Sequence, residues 1–126
     1  MAAFYHIDKE RKLVMTTTSG VVTAKDLAGH MERLRKDPDF DPQFSQLADF
    51  THLTHIEVTE EEVAGFAQKC VFDPGSRRAF VVADDMSEKL AEQFARLREN
   101  AGERGVRVFR TLDEGVNYIL PRIPSF

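Results

Sequence analysis

The chain has 126 residues, of which 17 are Lys or Arg and 21 are Asp or Glu, so its formal net charge is −4. This length fits one domain spanning residues 1–126, and a composition of 42% hydrophobic and 30% charged residues excludes wholesale disorder. The acidic balance excludes a general nucleic-acid coat and a polybasic membrane binder.

Targeting signals and cysteine content indicate the cellular compartment in which the protein is expected. Residues 1–8 lack the basic region and apolar core of a secretory signal, and no apolar run approaches the roughly 18 residues that a membrane span needs. Cys70 is the only cysteine and has no partner for an internal disulfide, which is typical of a reducing compartment. We therefore expect a cytoplasmic bacterial protein without stable membrane insertion.

The chain opens with two predicted strands, at residues 4–7 and 12–18, which four polar residues separate as a hairpin loop. A first helix is predicted to begin at Thr23, because Thr23 and Asp26 have the spacing of a capping box. Its apolar positions recur every three or four residues, and Pro38 marks its end.

The rest of the chain alternates between strands and helices. Residues 47–50 are predicted as a short buried strand and residues 52–58 as a loop, after which Thr59 caps a second helix whose apolar face includes Cys70. Residues 77–83 have a near-continuous apolar core, which indicates a strand covered on both faces. A third helix is expected over residues 86–101, a last strand over residues 106–110, and a fourth helix from Thr111.

The predicted order is β-β-α-β-α-β-α-β-α. Alternating strands and helices imply parallel neighbours joined by right-handed crossovers, whereas a short hairpin makes the first pair antiparallel. The sequence therefore predicts an α/β fold, in which a leading antiparallel β-hairpin precedes alternating helix–strand units in a mixed five-stranded sheet with four helices.

Candidate chemical groups fit structural roles better than catalytic ones. His52 and His55 have no third and fourth metal ligand in register, and Asp84 and Asp85 suit the start of a helix, where acids cap and offset the dipole. Cys70 lacks the neighbours that activate a thiol. We therefore expect no catalytic residue, no metal and no cofactor, and the protein is not expected to be an enzyme.

Phenylalanine is abundant, with ten residues against two tyrosines and no tryptophan. Most phenylalanines in helices and strands belong to a core. Five of them could alternatively line a pocket for an apolar ligand. They are Phe40, Phe44, Phe66, Phe72 and Phe94.

The order of elements and five segments resemble the STAS domain, and within it the SpoIIAA-like group of small, free-standing bacterial proteins. The resemblance covers nearly the whole chain. Its segments are residues 12–20 (KLVMTTTSG), the helix start at Thr23, residues 47–51 (LADFT), residues 77–82 (RRAFVV) and residues 109–114 (FRTLDE).

The resemblance implies a non-enzymatic regulatory or protein-interaction module of the anti-sigma-factor-antagonist type, with a regulatory protein as partner. One feature departs from that pattern. Antagonists of this type carry a phosphorylatable serine at a helix start after the third strand, whereas residues 49–55 contain neither serine nor glycine, and Thr51 and Thr54 are the only hydroxyl groups there. The alternative function is a carrier or sensor of a small apolar, lipid-like ligand.

Binding sites of α/β sheets lie at the carboxyl ends of the strands. For this chain, that rule selects six residues, namely Thr51, His52, Thr54, Asp84, Asp85 and Thr111. The hairpin also provides an exposed sheet edge, through which a homodimer could form, although the charged residues 9–12 partly guard it. No nucleic-acid partner is expected.

Overall fold

The computed structural model describes residues 2–69 and 71–120. Their elements in chain order are β1 (Ala3–Asp8), β2 (Leu13–Thr23), α1 (Ala24–Lys36), β3 (Ser45–Glu57), α2 (Glu60–Ala67), β4 (Arg78–Val81), α3 (Asp85–Asn100), β5 (Val106–Phe109) and α4 (Leu112–Ile119).

The strands form one five-stranded sheet in the order β1-β2-β3-β4-β5. β1 is antiparallel to β2, and every later pair of neighbours is parallel. The predicted hairpin, the mixed sheet and the four helices are thus confirmed. The four residues of β4 are all buried, as expected for a strand covered on both faces.

Each helix begins with a side chain that accepts a hydrogen bond from a free backbone N–H group of its first turn. Thr23 and Thr59 each form a reciprocal capping box, with Asp26 and Glu62 respectively. Asp84 caps α3 and Thr111 caps α4. These polar residues fix where each strand-to-helix connection ends, as their spacing predicts.

The predicted ends of two strands are wrong. The second strand is predicted to end at residue 18, but β2 continues to Thr23, and β3 extends beyond residues 47–50 at both ends. Residues 52–57 are not a loop, because β3 continues to Glu57 and pairs with the end of β2 as far as Thr23. Leu53 and Ile56 are partly buried there and the polar residues around them are exposed, as in a half-exposed strand. In addition, α2 ends at Ala67, so the predicted helical spacing does not reach Cys70, which lies outside the described residues.

The helices cover the two faces of the sheet unequally. Among the described helices, only α4 lies on one face, where Ile119 packs against Leu13 and Ala79. Gly115 allows this close approach, because a Cβ atom there would lie 2.7 Å from Cγ2 of Val81. On the opposite face lie α1, α2 and α3, which enclose a cavity with the sheet. Among the described residues, no helix is both long enough and apolar enough to cross a membrane.

Candidate functional site

A cavity of about 110 Å³ lies between the sheet and helices α1, α2 and α3. Most of its lining is apolar. The sheet contributes Ala48, Phe50, Phe80 and Val82, the end of β3 and the residue after it contribute Ile56 and Val58, and the helices contribute Leu27, Met31, Val63, Phe66, Leu90, Ala91 and Phe94.

Most polar groups of the cavity lie near the amino ends of the parallel strands, whereas Ser87 lines it at the start of α3. Gln46 and Arg78 are partners in the register of β3 and β4. The Nε2 of Gln46 donates to Oγ1 of Thr16 at 3.0 Å, and the Nε of Arg78 donates to Oε1 of Gln46 at 3.1 Å. All three side chains are buried. The cavity therefore has a cluster of hydrogen-bonding groups at one end, and a single hydroxyl, that of Ser87, in its otherwise apolar remainder.

Arg78 belongs to a buried cluster of three charged side chains. Its Nη1 donates to Oε1 of Glu103 at 3.0 Å, and the Nε of Arg98 donates to the same oxygen at 3.0 Å. Nη1 of Arg98 also donates to the carbonyl of Ala67 at 2.7 Å. Only 1% of Glu103 is exposed. Two guanidinium groups thus share one carboxylate oxygen.

Aromatic rings surround the guanidinium of Arg78. Its Cζ atom lies 4.4 Å from the ring centroid of Phe72, 5.5 Å from that of Phe80 and 5.4 Å from that of Phe94. Ring faces attract cations, and the attraction strengthens where water is excluded. These contacts hold a charged group in a strand that is otherwise made of apolar residues.

His30 extends the polar end of the cavity from α1. Its Nε2 lies 3.1 Å from Oγ1 of Thr16, and its ring packs edge-on against Tyr5. Burial, together with the positive charges of Arg33 and Arg78, lowers the pKa of His30 from its usual 6.5 to about 4. The ring is therefore neutral at pH 7, and it adds no charge to the cavity.

The six residues predicted as a site do not meet at this cavity. Thr51, His52 and Thr54 lie within β3 rather than after its end, because the strand continues to Glu57. Asp49 engages two of them. Its Oδ1 accepts from the hydroxyl of Thr51 at 2.6 Å, and its Oδ2 lies 3.6 Å from Nε2 of His52.

The other three predicted residues lie at helix starts after β4 and β5. Oδ1 of Asp84 accepts from the backbone of Ser87 at 2.7 Å, and Thr111 caps α4. Asp85 lies 3.2 Å from Arg110, in an ion pair on the surface. The capping interpretation of Asp84 is confirmed, while a binding role for the six residues stays a prediction.

The phenylalanines divide between the cavity and the core. Phe66 and Phe94 line the cavity, as the pocket alternative predicts. Phe40, Phe44 and Phe72 pack instead around Val14 and Leu34 under α1. In the part of the chain that the structure describes, no group of three or more His, Cys, Asp or Glu side chains could hold a metal ion.

The sequence interpretation missed the polar end of the cavity, namely Thr16, His30, Gln46 and Arg78. One signal was available. Gln46 stands directly before the predicted strand at residues 47–50, and Arg78 lies inside the predicted strand at residues 77–83, which is expected to be covered on both faces. Their meeting with His30 depends on strand register and on the position of α1, neither of which is a local property of the sequence.

Comparison with known proteins bears on the fold. No family model matches the chain, and no curated protein matches it in sequence. Among solved structures, it is similar to an uncharacterized protein of the DUF3478 family with a SpoIIAA-like fold, from Shewanella loihica PV-4. The two chains share 14% identity at a TM-score of 0.60, over 94% of each chain. The sheet order, the leading hairpin and this likeness together show that the chain adopts a SpoIIAA-like fold.

Proposed function

We propose that the protein is a non-enzymatic carrier or sensor, which binds a small, mainly apolar molecule between the sheet and helices α1 to α3. The observation that supports this proposal is the cavity of about 110 Å³, whose lining is mainly apolar. Ligand sites in proteins have this character, with an apolar wall and a few convergent polar groups that fix orientation.

The size of the cavity limits the ligand. An engineered cavity of about 150 Å³ lined by apolar side chains binds benzene. A cavity of about 110 Å³ therefore suits a short chain or a single ring. A longer molecule would have to extend out of it.

A cavity-filling substitution tests the proposal. Ala91 lies in α3 and lines the cavity, and Ala91→Leu adds a side chain that occupies part of the space. We expect Ala91→Leu to abolish binding of benzene, measured by NMR titration, while the protein stays folded, because the added atoms enter free volume. If the site were already packed, the same change would cost about 1–3 kcal/mol of stability.

The matched control is Ala101→Leu, at an exposed position directly after α3. It should bind benzene as the unsubstituted protein does. Native mass spectrometry of the purified protein adds a second readout, since a carrier should retain a small molecule at stoichiometric level. Failure of benzene and of every other apolar probe to bind the unsubstituted protein would refute the proposal.

A second candidate is the regulatory protein-interaction module that the fold suggests. The likeness over 94% of the chain supports it. A phosphate switch of the antagonist type has less support, because α2 begins with Glu60, Glu61 and Glu62, and their charges would repel a phosphate at that helix start. Capture of one defined bacterial partner at stoichiometric level, by a protein with no bound small molecule, would favour this candidate over a carrier.

A further inference from the structure

Thr16 and His30 are neighbouring polar side chains in the wall of the cavity. Oγ1 of Thr16 lies 3.1 Å from Nε2 of His30, and both residues are at most 4% exposed. Thr16 also accepts a hydrogen bond of 3.0 Å from Nε2 of Gln46. Neither Thr16 nor His30 forms a further side-chain hydrogen bond with a described residue. What this pair offers to a ligand therefore depends on where its hydrogens lie.

The direction of the hydrogen bonds that lead to Thr16 is fixed by chemistry. A guanidinium group only donates, so Oε1 of Gln46 is the acceptor in its 3.1 Å contact with Nε of Arg78. The amide nitrogen of Gln46 consequently faces Thr16 and donates to its oxygen. This bond occupies one lone pair of the Thr16 hydroxyl and leaves the position of the hydroxyl hydrogen open.

Only one hydrogen fits between Thr16 and His30, and it belongs to one residue or the other. If the Thr16 hydroxyl donates to Nε2 of His30, the ring can donate from Nδ1, where it has no acceptor among the described residues. If Nε2 of His30 donates instead, the hydroxyl hydrogen of Thr16 has no acceptor among them. Both arrangements leave one buried donor in the cavity wall, and a buried donor without an acceptor is unfavourable.

Ser87, which lines the cavity at the start of α3, has the opposite hydrogen-bonding capacity. Its hydroxyl group donates to Oδ2 of Asp84 at 3.0 Å, so its oxygen can only accept from a ligand. A ligand oxygen that carries no hydrogen, such as a carbonyl oxygen, gains no hydrogen bond from Ser87. Such an oxygen finds its donor at Thr16 and His30.

A charged ligand is poorly suited to this cavity. Arg78 is the only charged side chain among the described residues that line it, since His30 is neutral at pH 7. The Nε and Nη1 atoms of Arg78 already donate to Gln46 and Glu103, and three aromatic rings surround its guanidinium. A charged ligand would lose its hydration without gaining a counter-charge of its own, which is unfavourable.

We infer that the ligand is a neutral carbonyl compound, such as a small ketone or ester, whose oxygen accepts a hydrogen bond from Thr16 or His30 and whose hydrocarbon part packs against the apolar wall. This inference rests on the proposed function, because it specifies the chemical class of the same ligand. It adds a hydrogen-bond acceptor to the ligand and excludes a charged head group.

Cyclohexanone tests the inference on the unsubstituted protein, because it is a single ring with a carbonyl oxygen and no hydrogen to donate. Infrared spectroscopy of the bound molecule reports its hydrogen bond directly. We expect the carbonyl stretching frequency to lie below that of cyclohexanone dissolved in cyclohexane, since an accepted hydrogen bond weakens the C=O bond.

Two charged probes of similar shape test the exclusion of charge. Cyclohexylamine is protonated at pH 7, and cyclohexanecarboxylate is anionic. Both should bind at least about tenfold more weakly than cyclohexanone, because neither gains a counter-charge that compensates for its lost hydration. Isothermal titration calorimetry measures the three affinities.

Thr16→Val together with His30→Phe tests the two residues, because the double substitution removes the donor in either arrangement. It should weaken cyclohexanone binding by about threefold to tenfold, as suits one neutral hydrogen bond, and should raise the bound carbonyl frequency toward its value in cyclohexane. Methylenecyclohexane, in which a CH₂ group replaces the oxygen, should change in affinity by less than about twofold. Ser87→Ala is the matched control, and it should change neither the affinity for cyclohexanone nor the frequency.

The outcomes separate this inference from the proposed function. If bound cyclohexanone has the carbonyl frequency of its solution in cyclohexane, or if a charged probe binds as tightly as cyclohexanone, the ligand class is wrong while the proposed function stands. If the double variant keeps both affinity and frequency, the assignment to Thr16 and His30 is overturned. If cyclohexanone, methylenecyclohexane and benzene all fail to bind, both proposals fail. Should the double variant not fold, the infrared measurement on the unsubstituted protein decides the question.

Discussion

Arg78 and Glu103 form an ion pair in the interior of the protein, where charged groups are unfavourable. Removing charges from water costs several kcal/mol per ion, and a buried ion pair seldom repays that cost relative to packed apolar side chains. Here the pair carries an additional guanidinium, and Oε2 of Glu103 is buried without a hydrogen bond from the described residues. Residues that break a local packing rule often belong to functional sites, and Arg78 lines the cavity.

The lowered pKa of His30 should make the stability of the protein depend on pH. Its pKa is about 4 in the folded protein and near 6.5 in the unfolded chain, so between these values the unfolded chain binds more protons. The free energy of unfolding should therefore fall as the pH drops from 6.5 to 4, by about 3 kcal/mol from this group. Urea denaturation of the unsubstituted protein and of His30→Gln, at pH 7 and pH 4, measures the difference.

The control for His30 is His52→Gln, since the side chain of His52 is 65% exposed. Because carboxylates also titrate in this range, the comparison rests on the difference between variants. His30→Gln should lose part of the pH dependence, whereas His52→Gln should keep that of the unsubstituted protein. Equal pH dependence in all three proteins would contradict burial of a neutral His30.

Single residues were predicted well where their role is local. The spacing of Thr23 and Asp26, and of Thr59 and Glu62, identifies helix starts because a capping box involves only neighbouring residues. The polar end of the cavity could not be predicted in this way. Thr16 and Gln46 are 30 residues apart in sequence, and only the pairing of β2 with β3 brings them together.

At the scale of elements, the start of α3 shows two adjacent acids with different roles. Asp84 caps the helix through two hydrogen bonds to Ser87, whereas Asp85 is fully exposed and pairs with Arg110 on the surface. Capping bonds satisfy backbone groups that have no other partner, while exposed ion pairs contribute little. The pair Asp84-Asp85 is thus structurally asymmetric.

This asymmetry predicts different costs of substitution. Asp84→Ala should lower the free energy of unfolding by about 1 kcal/mol, and Asp85→Ala by less than about 0.5 kcal/mol. Chemical denaturation of both variants measures these values, with each serving as control for the other. Equal costs would mean that the hydrogen bonds of Asp84 do not stabilise the helix start.

The length of β3 was the element least accessible to prediction. Residues 52–57 contain two histidines and one threonine among few apolar residues, so their composition is typical of a connector. They form a strand because β2 continues beside them, with register shifts between Thr17 and Ser19 and between Gly20 and Val21. Pairing across a sheet with irregular register overrides local preference, which is weak for strands.

At the scale of the whole molecule, the alternation of strands and helices was sufficient to predict the sheet. Short connections place successive strands side by side, and the observed order follows the chain from β1 to β5. The cavity was not predictable from this alternation. It depends on how three helices of different length lie across one face, and on side-chain volumes that meet only in the folded state.

The pairing of β2 with β3 affects the access of solvent to the cavity. β1 pairs with β2 only as far as Thr18, and β4 pairs with β3 only as far as Asp49. Beyond these residues the two strands form an isolated ribbon, which carries Ile56 to the cavity wall. Isolated two-stranded ribbons are marginally stable. Local opening of this ribbon should therefore cost less free energy than unfolding of the central sheet.

Amide hydrogen exchange measures this difference directly. The amides of Leu53 and Ile56 should exchange faster than those of Leu47 and Ala48, which lie in the part of β3 flanked by strands on both sides. A ligand that fills the cavity should slow exchange at Ile56 more than at Leu47. Uniform protection along the whole of β3 would mean that the ribbon opens only with the entire sheet, and the entry of a molecule would then be limited by global unfolding.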